Sequence, residues 1–336
     1  MKFIFNKIVK KEFSRVDHAI KMTDVCIIGG GSVGLSLSSL LNKFKLGSVI
    51  IEKEGNISDH PKAHYLSPRT IEIMNYFDTF KCETGKAITD KNINNVNDWR
   101  HYRYCGYLLD HDSYLGEIDH FHSDTREKLA YVKEISNAYP MHIGQNKLNK
   151  ILYSNIKNAN QSMIKGRTLE KFEYNRNERL YDVYTSNSDI SSPLTKPELT
   201  IKSKIIVGCD GSHSKISKLL DIKTVGSKNI QSFVNAHFFS VDLAKRLREL
   251  NKQSMLHFIF NPNRVCVLIC YDLDKGEFVM QIPYSTEIEK ENSFDEKECR
   301  KIITDLISNQ EEKKQSVKLV NIYINFGKLQ RLSFGR

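Results

Sequence analysis

A chain of 336 residues, 40% hydrophobic and 27% charged, is long enough to bury about two domain cores and too apolar to be disordered or collagen-like. Fifty Lys and Arg against 40 Asp and Glu give a net charge of +10, yet the basic residues are dispersed, with no Arg-rich arm or aromatic–basic motif. That argues against nucleic acid and leaves a field suited to a small anionic ligand. No run reaches the roughly 18–20 apolar residues of a transmembrane helix. Seven cysteines, odd in number and without a Cys-x-x-Cys pair, read as reduced thiols of an intracellular protein.

Residues 1–22 set Phe5, Ile8, Val9, Val16 and Ile20 near helical spacing among Lys7, Lys10, Lys11 and Arg15. They read as a leader helix, with a presequence as the alternative, although Glu12 and Asp17 are unusual in acid-poor transit peptides. The expected location is the cytoplasm, or the mitochondrial matrix under that alternative. Asp24 to Ile28 predicts a buried parallel strand. Leu35, Leu37, Leu40, Leu41 and Phe44 predict a helix that ends at Gly47, and Ser48 to Glu52 a second apolar strand, making a βαβ unit.

Ser67 as cap and Pro68 at the first helical position start another helix. Residues 82–130, rich in Asn, Asp, His and Tyr, read as an irregular insertion. Gln145 to Ile156 has helical spacing. Residues 168–203 alternate like strands around a polar loop from Ser186 to Pro197, and Ile205 to Gly208 predicts a buried strand leading to a helix through Ile216, Leu219 and Leu220. Longer strands follow at Ser232–Val241, Met255–Phe260, Val265–Tyr271 and Glu277–Tyr284. A charged helix near Phe294–Ile307 and a strand at Val317–Phe326 complete the series. The change in character near residue 231 predicts a second domain.

Gly29-x-Gly31-x-x-Gly34, between a strand and a helix, has a mechanical meaning. Gly29 permits a tight turn, Gly31 lets backbone N–H groups approach a pyrophosphate, and Gly34 lets helix and strand pack closely. Glu52, 23 residues after Gly29, closes the second strand where an acid binds ribose hydroxyls. The combination predicts dinucleotide binding.

Later segments carry a resemblance. His60-Pro61-Lys62-Ala63-His64 leading into Pro68-Arg69-Thr70-Ile71-Glu72, then Ile143-Gly144-Gln145-Asn146-Lys147-Leu148, then Val207-Gly208-Cys209-Asp210-Gly211-Ser212-His213-Ser214, follow the βαβ unit in order. Together they resemble the FAD-dependent aromatic-ring hydroxylases of the phenol hydroxylase and para-hydroxybenzoate hydroxylase type, over roughly residues 24–336. The resemblance implies an α/β fold: a Rossmann-like βαβ FAD-binding domain at 23–230, including the irregular insertion, and a β-rich substrate domain at 231–336. It implies FAD as cofactor, NADPH or NADH as co-substrate, and hydroxylation of a phenol-like or other hydrophobic ring by molecular oxygen through a flavin hydroperoxide. The implied cofactor contacts are Gly29, Gly31, Ser32, Val33, Gly34, Glu52, Lys53, Arg69, Gln145, Asp210 and Gly211. A homodimer is compatible with the resemblance.

The family's Gly-Asp flavin block, expected after the substrate domain, is absent before the chain stops at Phe334-Gly335-Arg336. The expectation is a truncated chain. A catalytically inactive flavin-binding relative and an NAD-dependent oxidoreductase are the alternatives. His64 stands where phenol-type members carry a polar acid/base residue, which makes it the candidate catalytic group. His237 could face the cavity or pack in its strand. Glu277 and Val279 stand where phenol hydroxylases carry Arg and Tyr, so phenol itself is not the expected substrate. Asp110-His111-Asp112 and His120 to Asp124 lack metal-ligand spacing and read as solvated loops, with no metal expected. Cys266 and Cys270, four apart on a strand, should share its core face.

Overall fold

The computed structural model describes residues 20–76, 100–119, 136, 138, 140–156, 161–188 and 198–334. Its elements in chain order are β1 (Lys21–Ile28), α1 (Ser32–Lys43), β2 (Ser48–Glu52), β3 (Tyr65–Leu66) and α2 (Pro68–Tyr76). Next come β4 (His101–Cys105), β5 (Tyr114–Asp119), β6 (Met141–His142), α3 (Gln145–Ser154), β7 (Gln161–Lys165), β8 (Arg167–Asn175), β9 (Leu180–Asn187) and β10 (Glu198–Gly208). The remainder are α4 (Lys215–Leu219), β11 (Thr224–Phe239), α5 (Val241–Glu249), β12 (Leu256–Phe260), β13 (Val265–Asp272), β14 (Glu277–Tyr284), α6 (Glu296–Ile307), α7 (Glu311–Gln315) and β15 (Val320–Phe334).

The chain divides into two interleaved units, residues 1–57 with 152–221, and residues 58–151 with 222–336. The boundary expected near residue 230 is therefore not the one observed, because 58–151 groups with the second unit. Of the leader expected at 1–22, residues 1–19 lie outside the described residues, and Lys21 and Met22 already belong to β1 through pairing with Ile201 and Lys202.

In the first unit six strands run in the order β7-β2-β1-β10-β9-β8. β1 is parallel to both β2 and β10, with Ile27 opposite Ile50 and Val207. Central parallel strands are covered on both faces, which is why Val25 to Ile28 and Val49 to Ile51 carry no exposed position. Leu35 of α1 is fully buried, and the helix seats its Ser38 hydroxyl 2.8 Å from that of Ser48, so the buried polar groups satisfy one another. Leu169, Val183 and Ile201 complete this core. One expectation fails at its edge: Ile205 is 55% exposed. The expected helix forms as the short α4, with Leu219 and the following Leu220 facing solvent.

In the second unit seven strands run β15-β11-β14-β13-β12-β4-β5. β11 pairs antiparallel with β14 and β15, placing His237 opposite Val279 and Tyr323. Side chains alternate between faces along a strand. Val234, Ala236 and Phe238 of β11, Phe278, Met280 and Ile282 of β14, and Cys266, Leu268 and Cys270 of β13 fill one face. Helices α5 and α6 cover it through Leu243, Leu247, Cys299, Ile303 and Leu306. Phe238 and Phe278 stack there at 5.5 Å between ring centroids, each worth roughly 1.5–3 kcal/mol of burial. Asn235, His237, Val279 and Gln281 point the other way.

Part of the expected insertion at 82–130 is regular: β4 and β5 form a hairpin, and β4 adds in parallel to β12 with Tyr104 opposite Phe258. The rings of Tyr104 and Phe258 stack at 5.1 Å, a cross-strand contact invisible in a composition this polar. Helix α5 also replaces the end of a predicted strand, because Ser240 caps it by accepting from Leu243 N–H at 3.1 Å. No helix among the described residues is long and apolar enough to cross a membrane.

Candidate cofactor cradle and active-site cavity

The glycine loop after β1 is built as its spacing requires. Gly29 has φ +104°, a conformation costly to any residue with a Cβ, and its N–H donates to Ile51 O at 2.8 Å. A Cβ there would lie 2.9 Å from Asp210 Cα, because Cys209 N–H bonds Ile28 O at 2.7 Å and brings β10's end against the loop. A Cβ on Gly34 would strike the Gly29 carbonyl, so α1 packs directly on the turn. At Gly31, by contrast, a Cβ would meet nothing within 4 Å. The loop is therefore crowded from within and open on the side where Gly31 begins α1, whose first turn carries Ser32 and an exposed Val33 and no acidic residue. A bare helix N-terminus beside an open glycine fits a pyrophosphate.

Glu52 ties β2 to this loop. One carboxylate oxygen accepts from Gly30 N–H at 2.6 Å and the other from Glu54 N–H at 2.8 Å. Each oxygen keeps a second lone pair, as ribose hydroxyl binding needs. Lys53 is exposed and lies 3.6 Å from Glu54. Asp210 serves the local fold, accepting from the N–H groups of Lys215 at 2.6 Å and Ile216 at 3.1 Å, and Gly211 turns the chain at φ +78°. The first unit thus brings together Gly29, Gly31, Ser32, Val33, Gly34, Glu52, Lys53, Asp210 and Gly211, and their arrangement fits the FAD that the sequence implies.

Arg69 and Gln145 belong to the second unit. Arg69 is 79% exposed on α2 and pairs with Glu72 at 3.2 Å. Glu72 also accepts from the Ser136 hydroxyl at 2.7 Å; Ser136 first, and Arg69 second, hold its carboxyl below the usual range. Gln145 opens α3, its N–H donating to Ala63 O at 2.8 Å.

Two histidine pairs occupy the second unit. His64 Nδ1 lies 3.1 Å from His142 Nδ1, and His142 Nε2 lies 2.7 Å from the Cys270 carbonyl. A carbonyl only accepts, so His142 carries its proton on Nε2 and takes one at Nδ1 from His64. Burial pushes His142 down to about 3 and keeps it neutral. The line therefore ends on a backbone oxygen. The second pair is His60 and His237, 3.3 Å apart at their Nδ1 atoms, with His237 Nε2 a further 3.2 Å from Glu277 Oε1. Beyond Glu277, Lys147 lies 3.9 Å from its other oxygen and 2.7 Å from Asp272. Against the desolvation that opposes it, Lys147 holds the buried Asp272 in its charged form.

A cavity of about 240 Å³ opens at the second pair, bounded by the loop His60 to Lys62, by Asn235, His237 and Gln281, and by the rings of Tyr271 and Tyr323. His60 lines it, whereas His64 lies behind Tyr271, at 5.6 Å between rings. Burial raises the Tyr271 phenol and keeps it protonated. Sequence reasoning weighed His237 both ways and did not single out His60, Tyr271 or Lys147. The signal was the alternation itself: Asn235 and His237 sit between the apolar Val234, Ala236 and Phe238, as Glu277, Val279 and Gln281 sit between Phe278, Met280 and Ile282. Asp110, read as a loop acid, receives the Ser308 hydroxyl and Asn309 N–H, the latter at 2.7 Å, and so anchors the end of α6; His120 to Asp124 lie outside the described residues.

The 2,4-dichlorophenol 6-monooxygenase of Cupriavidus pinatubonensis (strain JMP 134 / LMG 1197) is 26% identical over 240 residues, 71% of this chain and 37% of that protein. The enzyme of the same name from Delftia acidovorans is 21% identical over 241 residues, 71% of this chain and 38% of that one. Among solved structures, the flavin-dependent monooxygenase PieE in complex with FAD and substrate superposes with a TM-score of 0.78 at 15% identity, covering 94% of this chain and 51% of that one. Aklavinone-11 hydroxylase with FAD and aklavinone gives 0.75 at 18%, covering 94% and 55%. The chain spans about half the length of these structures and under two fifths of these relatives. The family model for the FAD binding domain matches residues 22–336, nearly the whole chain, and the protein belongs to that family.

Proposed function

We propose that the protein binds FAD through the glycine cradle and Glu52, and hydroxylates a single-ring phenol held in the cavity of the second unit. The reading uses NADPH or NADH as reductant and molecular oxygen as co-substrate. Bound FAD supplies the redox and oxygen chemistry. The chain's own residues supply the rest. Open backbone at Gly31 receives phosphate oxygens, Glu52 accepts ribose hydroxyls, and the cavity's rings exclude water from the substrate while its polar side chains orient it.

One observation carries the reading: a small, ring-lined cavity with His60 and His237 in its wall and Glu277 bonded behind His237, in a chain of the FAD binding family. Its volume supports a small substrate. About 240 Å³ exceeds the ~150 Å³ that accepts benzene and suits one substituted ring rather than several fused ones. The dichlorophenol monooxygenases among the relatives support a phenolic ring.

The test is the visible spectrum of the purified chain with FAD quantified after denaturation, followed by NADPH and NADH oxidation with single-ring phenols, 2,4-dichlorophenol among them. One FAD per chain and phenol-dependent oxygen uptake are expected. Bound FAD without turnover would identify a flavin-binding relative instead, and bound nicotinamide without flavin an NAD-dependent oxidoreductase.

A further inference from the structure

Glu277, His237 and His60 form a line of hydrogen bonds that starts in the sheet and ends in the cavity wall. Glu277 and His237 are both under one tenth exposed. The Glu277 carboxylate only accepts, so His237 Nε2 carries a proton and neutral His237 keeps its lone pair on Nδ1. His60 Nδ1, 3.3 Å away, must then donate, which leaves Nε2 as the basic nitrogen of His60.

Groups from several elements surround His237. Glu277 faces it from β14, the rings of Phe239 and Tyr323 flank it from β11 and β15, and His60 closes it from the loop. Lys147 of α3 sits behind Glu277 and is itself neutralised by Asp272 of β13. Lys62 and Tyr271 border the same cavity. The His64 line differs in its terminus: its far end is a carbonyl in place of a carboxylate, and burial keeps His142 neutral to about 3 against the weaker pull of Asp272.

We propose that the line His60–His237–Glu277 removes the proton from the hydroxyl of a phenol bound in the cavity. The substrate O–H bond breaks and an N–H bond forms at His60 Nε2. The Nδ1 proton of His60 passes to His237 Nδ1, and the resulting imidazolium stays paired with the Glu277 carboxylate. The phenolate left behind has the electron-rich ring that hydroxylation requires. His60 is the catalytic residue; His237 and Glu277 are positioning residues that act through it. The inference rests on the phenol reading above.

The test needs no turnover. 4-Nitrophenol, whose phenolate is yellow, is added to the full chain as purified, and its ionisation midpoint is followed by difference absorbance across pH. We expect the bound midpoint to lie about one unit or more below that of 4-nitrophenol in water, as a neighbouring cation produces. His237→Gln and Glu277→Gln should each return most of that shift while 4-nitrophenol still binds, and His64→Gln should leave it in place. His60→Gln, at an exposed loop position, should act like His237→Gln and keeps the test open if the buried substitutions do not fold. Bound 4-nitrophenol with an unshifted midpoint, or a shift that survives both His60→Gln and His237→Gln, overturns the relay and leaves phenol binding intact. Failure of 4-nitrophenol to bind overturns the phenol reading and the relay together.

Discussion

The two sheets handle the same problem differently. In the first unit the central strands β1 and β2 are apolar on both faces, and what lies open beyond them is backbone, at a glycine loop where a Cβ on Gly31 would meet nothing. In the second unit β11 and β14 give the apolar core only alternate residues, and the other face carries Asn235, His237 and Gln281 to a cavity, with the buried Glu277 behind His237. A site made of backbone tolerates little change in its glycines. A site made of side chains can be redrawn at modest cost to the fold, because the residues that shape it are not those that hold the core.

That contrast can be broken most sharply in the second sheet. Phe238→Ala should cost about 3–5 kcal/mol in urea unfolding, whereas Asn235→Ala, three residues back on the opposite face, should cost under about 1 kcal/mol. Equal losses would mean that the faces do not divide the work. In the first unit, Gly29→Ala should lose about 2–3 kcal/mol, since its Cβ meets Cys209 and Asp210 at a positive φ. Gly31→Ala should leave unfolding within about 0.5 kcal/mol and weaken FAD binding, measured by flavin fluorescence. If Gly31→Ala destabilises as Gly29→Ala does, the open side of the loop is not reserved for a ligand.

Acid sharpens the comparison further, because the buried histidines His142 and His257 belong to the second unit. Each has an ordinary value of 6.5 pushed down to about 3 by burial. As pH falls below 6.5 the unfolded chain takes up protons that the native chain refuses, so stability drops. The loss should reach about 2 kcal/mol for each histidine at about pH 5. His257→Leu should remove its share of that slope, because neither ring nitrogen of His257 has a partner among the described residues. An unchanged slope would show that the native state protonates it after all. The smallest effect belongs to Arg69→Ala: under about 0.5 kcal/mol in unfolding, since its pair with Glu72 is exposed. A large fall in FAD affinity in that variant would make Arg69 the cofactor contact the family resemblance implies.

Much of the first unit was readable in advance. Gly29, Gly31, Gly34 and Glu52 are close in sequence, and the loop they build depends on local geometry, so their spacing carried the structure with it. Helices starting at Pro68 and Gln145 were legible for the same reason. The hairpin β4–β5 was not, since Tyr104 becomes a strand residue only by stacking on Phe258, far along the chain. The acid/base line was half legible. His237 was seen as a candidate but left between cavity and strand packing, and nothing local joined it to His60 or Glu277, which lie 177 and 40 residues away.

The sequence by itself determined the dinucleotide-type turn, the α/β class and the apolar periodicity of each core, because these rest on backbone sterics and on the spacing of side chains along one element. The tertiary structure decided which histidine reaches the cavity, which acid stands behind it, and that residues 58–151 group with the second unit. Those outcomes depend on strand register and on pairings between distant segments, and a hydrogen bond of about 3 Å between residues far apart in the chain leaves no trace in local composition.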